Sequence, residues 1–168
     1  ASRIAGGVIW SYGNATTAPY TEQFYIGGAN SIRAYSARSI GPGGYPPDKE
    51  KKYSYITHVG DIRMEANVEY RFRILGDLHG AIFLDAGNVW LMRKDKDRPD
   101  GQLTLKNFPK QVALGTGAGL RYDLDFLVFR FDWGVALHDP YDTGKKGYYN
   151  IPKFKDGMAW HFAIGYPF

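Results

Sequence analysis

From Ile62 to Ile74 the chain reads IRMEANVEYRFRI, and its hydrophobic and polar residues alternate without a break. The even positions are apolar: Ile62, Met64, Ala66, Val68, Tyr70, Phe72 and Ile74. The odd positions are polar or charged: Arg63, Glu65, Asn67, Glu69, Arg71 and Arg73. Successive side chains of a strand point to opposite faces, so a period of two separates these sets, whereas a helical period of 3.6 cannot. The segment predicts one long strand with an apolar face and a charged face.

The same period recurs along the chain. Residues 2–12 place Ile4, Val8, Trp10 and Tyr12 on one face. Residues 78–90 place Ile82, Leu84, Ala86 and Trp90 on one face, with His79, Asp85 and Gly87 on the other. Residues 111–123 set Val112, Leu114, Ala118, Leu120 and Tyr122 against Gly115, Gly117, Gly119, Arg121 and Asp123. Residues 126–138 set Leu127, Phe129, Phe131, Trp133, Val135 and Leu137 against Arg130, Asp132, Gly134 and His138. Residues 158–168 place Met158, Trp160, Phe162, Ile164, Tyr166 and Phe168 on one face. Six strands of about eleven to thirteen residues exceed the five or six usual in a soluble sheet. They suit tilted strands crossing a bilayer, which need about nine to eleven.

The connections agree. Tight turns fall around Leu75–Gly76–Asp77 and Leu124–Asp125, while residues 13–61, 91–110 and 139–157 form long connections. Alternating short and long connections are the habit of outer-membrane barrels, with short periplasmic turns and long outer loops. The predicted fold class is therefore all-β, a transmembrane antiparallel β-barrel, with residues 13–61 as a long loop that folds inward. A soluble β-sandwich is the competing fold, but its strands would be shorter and its second faces poorer in glycine. Bacterial transmembrane barrels start at about eight strands, and an open edge in lipid leaves backbone groups unpaired. The six strands are thus expected to be completed by strands upstream of residue 1 or by another chain.

Composition narrows the partners. Aromatic residues make up 16% of the chain, and many sit near strand ends, where aromatic girdles would meet the two membrane interfaces. The net charge of +4 is spread out and forms no basic stripe, which argues against nucleic acid. With no cysteine, neither disulfides nor a thiolate metal site is available. No apolar run reaches the length of a transmembrane helix, and no signal peptide opens the chain, so a leader has been removed or the chain is a piece of something longer. His58, His79, His138 and His161 have no metal-ligand spacing, no nucleophile–base pair stands out, and no cofactor is implied. The segment GTGAGLR (Gly115 to Arg121) superficially suggests a phosphate loop but lies inside a strand and opens no helix. Its glycines more naturally make room for an inserted loop. Asn14-Ala15-Thr16 fits a glycosylation sequon without consequence in a bacterial outer membrane. The runs from Lys49 to Lys52 and from Arg93 to Arg98 read as solvated loop tips.

The candidate chemistry lies in the first long loop. Phe24 to Pro47 reads FYIGGANSIRAYSARSIGPGGYPP, a glycine-rich loop that carries an arginine, Arg33, set between Ile32 and Ala34–Tyr35. Inside a polar lumen its partners would be carboxylates, and parity puts Glu69 and Asp85 on inner faces of the second and third strands, adjacent across the turn at Gly76. Two neighbouring carboxylates repel; an arginine between them removes that cost and grips both with its planar fork. Spacing alone leaves open the bland alternative in which all three face luminal water.

The loop segment QFYIGGANSIRAY, followed by IGPGG, then NVEYRF, FLDAGNVW and a terminal IGYPF, resembles the outer-membrane assembly superfamily (the BamA- and TamA-like, or bacterial surface antigen, proteins and the two-partner secretion transporters). The wording is closer to Bacteroidetes members than to enterobacterial ones. The resemblance covers the whole chain but only the last six strands of a family barrel of about sixteen. It implies that Arg33 meets Glu69 and Asp85, and that Gly27, Gly28, Ile32, Ala34 and Tyr35 form the inward loop motif. Alanine at Ala34 departs from the family's usual glycine, so the tightest backbone geometry is not assumed. It implies further that Trp160, Phe162, Gly165, Tyr166 and Phe168 form the C-terminal signal strand beside a lateral seam, with Gly165 the site of a bend. The implied function is insertion of client β-barrel or autotransporter proteins through that seam, without enzymatic chemistry, in the bacterial outer membrane. The implied partners are the lipid bilayer and its lipopolysaccharide, client proteins, and periplasmic or lipoprotein partners of an assembly complex. Chaperone-binding periplasmic repeats would lie upstream. A two-partner secretion transporter, a barrel translocator attached to an upstream enzyme domain, and a short oligomeric pore are the alternatives.

Overall fold

The computed structural model describes residues 1–12, 18–47 and 56–168. The sequon at Asn14 and the loop tip at Lys49–Lys52 lie outside the described residues. The described chain is a single antiparallel sheet of β1 (Ser2–Val8), β2 (Ile62–Leu75), β3 (Leu78–Trp90), β4 (Ala113–Asp123), β5 (Val128–His138) and β6 (Met158–Ile164), each paired with the next in sequence order. The sheet does not close, so β1 and β6 are its two edges.

Its burial is inverted relative to a soluble sheet. Along β2 the acids and amides are covered and the apolar residues are bare: Glu69 is 1% exposed and its neighbour Tyr70 65%. Val68, Phe72, Ile82, Leu84, Leu120, Phe131, Trp160 and Phe162 continue the bare apolar face across the other strands. Water would penalise such a surface, whereas hydrocarbon accepts it. Aromatic pairs run across β5 and β6 on this face: Phe129–Phe162, Phe131–Trp160 and Trp133–Trp160, with ring centroids 6.0, 5.4 and 5.8 Å apart.

Several strand ends differ from the period-two expectation, for local reasons. The edge strand β1 stops at Val8, leaving Trp10 and Tyr12 exposed beyond it. β4 begins at Ala113 because a 3-10 turn, Phe108–Lys110, occupies the preceding residues. β5 begins at Val128 because Asp125 takes a left-handed conformation (φ 66°) in the turn before it. Trp90 shares parity with the outer face yet is fully buried, because Phe108 stacks on it at 5.4 Å and its indole N–H donates to Gln111.

The apolar core lies inside, between the first long loop and the outer ends of the strands. Ile26, Ile32, Ala34, Tyr35 and Ile40 of the loop pack with Val89, Ala113, Ala136 and Ile151. Burying each isoleucine side chain contributes about 1.5–3 kcal/mol, which explains why a loop so rich in glycine holds a fixed path.

Candidate functional site

The loop reaches the inner face through a tight reversal at Gly27 and Gly28, with φ of 92° and 95°. A Cβ on Gly27 would lie 2.2 Å from the Ser36 carbonyl oxygen, so only glycine fits. The reversal is tied by Gly28 N–H to Tyr35 O at 2.7 Å and by Gly27 N–H to Ser31 Oγ at 3.1 Å. Its closed end presents Arg33 to the sheet.

Arg33 is fully buried and all its donating groups point at two acids. Its Nε and Nη2 donate to the two carboxylate oxygens of Asp85 at 2.8 and 2.9 Å, and its backbone N–H donates to Oδ2 at 3.0 Å. Nη1 donates to Glu69 Oε2. The strand register places Asn67 opposite Asp85 and Phe83 opposite Glu69, so the two acids sit on a diagonal rather than face to face. Phe83 fills the space between them, and the guanidinium lies flat on its ring, 3.6 Å from the centroid. A desolvated cation over an aromatic face contributes about 2 kcal/mol. Burial alone would press the Arg33 guanidinium toward neutrality, but its bonds to Asp85 and Glu69 outweigh that and hold its pKa above the ordinary value.

Sequence reasoning missed the rest of the network. Glu69 also accepts from Arg71 Nε at 2.6 Å and from Arg121 Nη2 at 3.1 Å. Arg121 Nη1 continues to Asp132 Oδ1 at 2.6 Å, Asp132 pairs with Arg130 at 3.3 Å, and Arg130 returns to the loop at Asn30 Oδ1. Asn67 Nδ2 bridges Asp85 Oδ1 and Ser31 O, each at 2.9 Å. Every strand member lies on an inner face by parity, and that was the available signal; which of them touch depends on register, which alternation does not give.

The other loop-motif residues are held by shape. Ala34 approaches β4 so closely that a Cβ on Gly115 would lie 2.2 Å from its own Cβ, and a Cβ on Gly134 of β5 would lie 2.1 Å from the Arg33 carbonyl oxygen. The glycines of the inner face are therefore the seat of the loop, and alanine at position 34 is matched by glycine at 115. Ile32 belongs to the apolar core. The Tyr35 hydroxyl donates to His138 O at 2.6 Å. Burial, then Asp139, pushes its phenol pKa well up, so it stays a donor.

The C-terminal residues divide. Trp160 and Phe162 face outward with Ile164. Gly165 takes φ 86° and ends β6 there. Tyr166 and Phe168, expected on the lipid face, turn inside instead: Arg71 lies 4.3 Å from the Tyr166 ring centroid, and Arg3 and Arg33 lie 5.3 and 6.0 Å from that of Phe168. The left-handed bend at Gly165 breaks the alternation that placed them outside. Among the described residues no cluster of acidic and histidine side chains is arranged to hold a metal.

These features define a class: membrane-crossing β-strands whose inner face is locked to a folded-in loop by a buried arginine. The chain matches the Omp85 superfamily domain over residues 1–168, and it belongs to that superfamily of outer-membrane β-barrel proteins. It is a protein of the Gram-negative outer membrane. It is similar to the outer membrane protein assembly factor BamA of Neisseria meningitidis serogroup B, 34% identical over 92 residues (52% of this chain and 10% of that protein). It is also similar to the outer membrane protein assembly factor BamA of Nitratidesulfovibrio vulgaris, 27% identical over 162 residues (95% of this chain and 18% of that protein). The chain thus spans less than a fifth of the length of either relative.

Proposed function

We propose that residues 1–168 are the C-terminal part of the barrel of an outer-membrane protein assembly and insertion factor. The observation that carries this reading is the contrast between the two sides of the sheet. The loop is fastened to β2 and β3 by fully buried charges, while the last strand, β6, pairs with β5 over only seven residues. An exposed strand edge recruits another strand by backbone pairing. In the proposed mechanism the lock braces the wall, the edge of β6 templates the strands of a client β-barrel or autotransporter protein, and the client leaves sideways into lipid. There is no chemical step. The partners are the bilayer with its lipopolysaccharide, client outer-membrane proteins, and periplasmic or lipoprotein components of an assembly complex. That both relatives are assembly factors supports the reading.

The test is a disulfide between β6 and the barrel strand that pairs with it in the full-length polypeptide, with client insertion followed before and after reduction. The expected result is that the crosslink blocks insertion and reduction restores it. A crosslinked barrel that inserts clients at the normal rate removes the seam from the mechanism.

A further inference from the structure

His161 is the only histidine of β6, and its Nε2 lies 2.9 Å from the backbone carbonyl oxygen of Arg33. A carbonyl oxygen can only accept, so Nε2 carries the proton and His161 is the donor. Two independent features fix that carbonyl in place. The Arg33 side chain and backbone N–H are held by Asp85 on β3. The carbonyl itself rests on Gly134 of β5, where a Cβ would come within 2.1 Å of it. The register puts His161 opposite Asp132, one step along the inner face from Gly134, so the imidazole reaches the carbonyl diagonally. Asp85 and His161 stand on strands three inter-strand steps apart, roughly 14 Å at the usual spacing. One residue of the loop therefore ties the middle of the sheet to its last strand.

We infer that His161 is a positioning residue, the latch through which the Arg33 loop holds β6 against β5. The backbone ladder between β5 and β6 is short, with paired residues only from Phe129↔Ile164 to Val135↔Met158. An added bond from β6 to a buried, doubly anchored carbonyl is a substantial part of what keeps this edge in place. It also makes the edge depend on the loop: displacing Arg33 releases the His161 contact and leaves β6, among the described residues, its ladder with β5. The inference deepens the lateral-seam reading and rests on it for its functional meaning, though the latch itself is a statement about the fold.

The experiment uses the full-length polypeptide in lipid vesicles, with hydrogen exchange followed by mass spectrometry. His161→Phe keeps an aromatic ring and removes the donor; His161→Gln places an amide N–H near the position of Nε2. Exchange across 158–164 should quicken about five- to tenfold in His161→Phe, the ratio expected for one lost hydrogen bond, should return toward the native rate in His161→Gln, and should leave β2 and β3 unchanged. Native exchange across 158–164 in His161→Phe overturns the latch. So does equal quickening in every strand, which would mean that the ring is general packing. Should His161→Phe fail to fold, nitrogen NMR of the unaltered protein decides: the neutral Nε2–H form supports the latch and the Nδ1–H form overturns it. Client insertion, measured separately, distinguishes the two levels. A loosened β6 with unaltered insertion keeps the latch and removes the seam mechanism, whereas unaltered exchange removes the latch whatever insertion does.

Discussion

Replacing Arg33 by methionine should injure its two acidic partners unequally. Methionine keeps an apolar stem over Phe83 but gives up every ionic bond. Asp85 then loses two of its four donors, the guanidinium pair, and keeps the backbone N–H of residue 33, at 3.0 Å, and Asn67 Nδ2, at 2.9 Å. Glu69 loses one and keeps Arg71 and Arg121. Removing one partner of a buried ion pair costs about 3–5 kcal/mol, chiefly because the other charge is stranded. Here the stranded charge is Asp85, which is fully buried. Adding Asp85→Asn should therefore recover about 1–3 kcal/mol, since an uncharged amide costs less to leave poorly paired. Adding Glu69→Gln should recover nothing and cost more, because Arg71 and Arg121 then lose their shared acid. The assay is guanidinium unfolding of the full-length protein in vesicles, read as the midpoint at constant slope. Coupling energies for the two pairs should differ in sign by more than the roughly 0.5 kcal/mol scatter of independent sites. Additivity in both pairs, or recovery with Glu69→Gln rather than Asp85→Asn, would refute the unequal division of the lock.

Gly134→Ala should displace the loop, since its Cβ would meet the Arg33 carbonyl oxygen at 2.1 Å; a loss of about 1–3 kcal/mol is expected. Gly6→Ala, whose Cβ meets ordinary contact at 3.6 Å, is the control, and equal losses in both would discredit the seat. His58 is buried with Nδ1 on Gly41 O, and burial lowers its pKa below the ordinary 6.5. The native loop then holds it neutral, so the unfolded state alone gains a proton as pH falls below about 6.5, and stability present above that pH declines down to the native pKa. The predicted acid loosening of the loop should vanish in His58→Gln; a slope that persists assigns it elsewhere. Gly165 has open space around it but φ of 86°, so Gly165→Val should straighten the chain end and swing Tyr166 and Phe168 outward. A Phe168→Cys thiol should then change from reaction with aqueous maleimide to reaction with a lipid-soluble one; aqueous reactivity in both backgrounds would mean that the glycine does not set the bend.

The fold was legible because a membrane β-strand advertises its two faces in strict alternation, as in Ile62 to Ile74. Parity put Glu69 and Asp85 inside but left open that all three charges face luminal water; it was the resemblance to the assembly superfamily that paired Arg33 with them. What parity cannot reach is register and termination. It did not place Phe83 under the guanidinium, because that depends on which residue of β3 stands opposite Glu69. It could not tell that Arg121, Asp132 and Arg130 join the same network, although all three were visible on the polar face. It put Tyr166 and Phe168 outside because alternation has no term for a left-handed glycine. It put Trp90 outside because nothing in a strand pattern announces a covering 3-10 turn.

The loop is held by two kinds of force with different consequences. The isoleucines of the apolar cluster supply burial, which is non-directional and tolerates sliding. The arginine network does not tolerate sliding. A buried ion pair is weak evidence for net stability, because desolvating both partners offsets most of their attraction. Its distinctive contribution here is geometric: a forked donor meets Asp85 in one orientation, a flat cation meets Phe83 at one height, and a carbonyl meets the floor at Gly134 in one place. An apolar residue at position 33 could fill the space, but it would leave the loop free to settle in neighbouring positions along the sheet. The arginine network gives the loop the opposite, a single seat on the inner face of the sheet. β6 contributes one side chain, His161, to the contacts that fix the loop, through the Arg33 carbonyl oxygen.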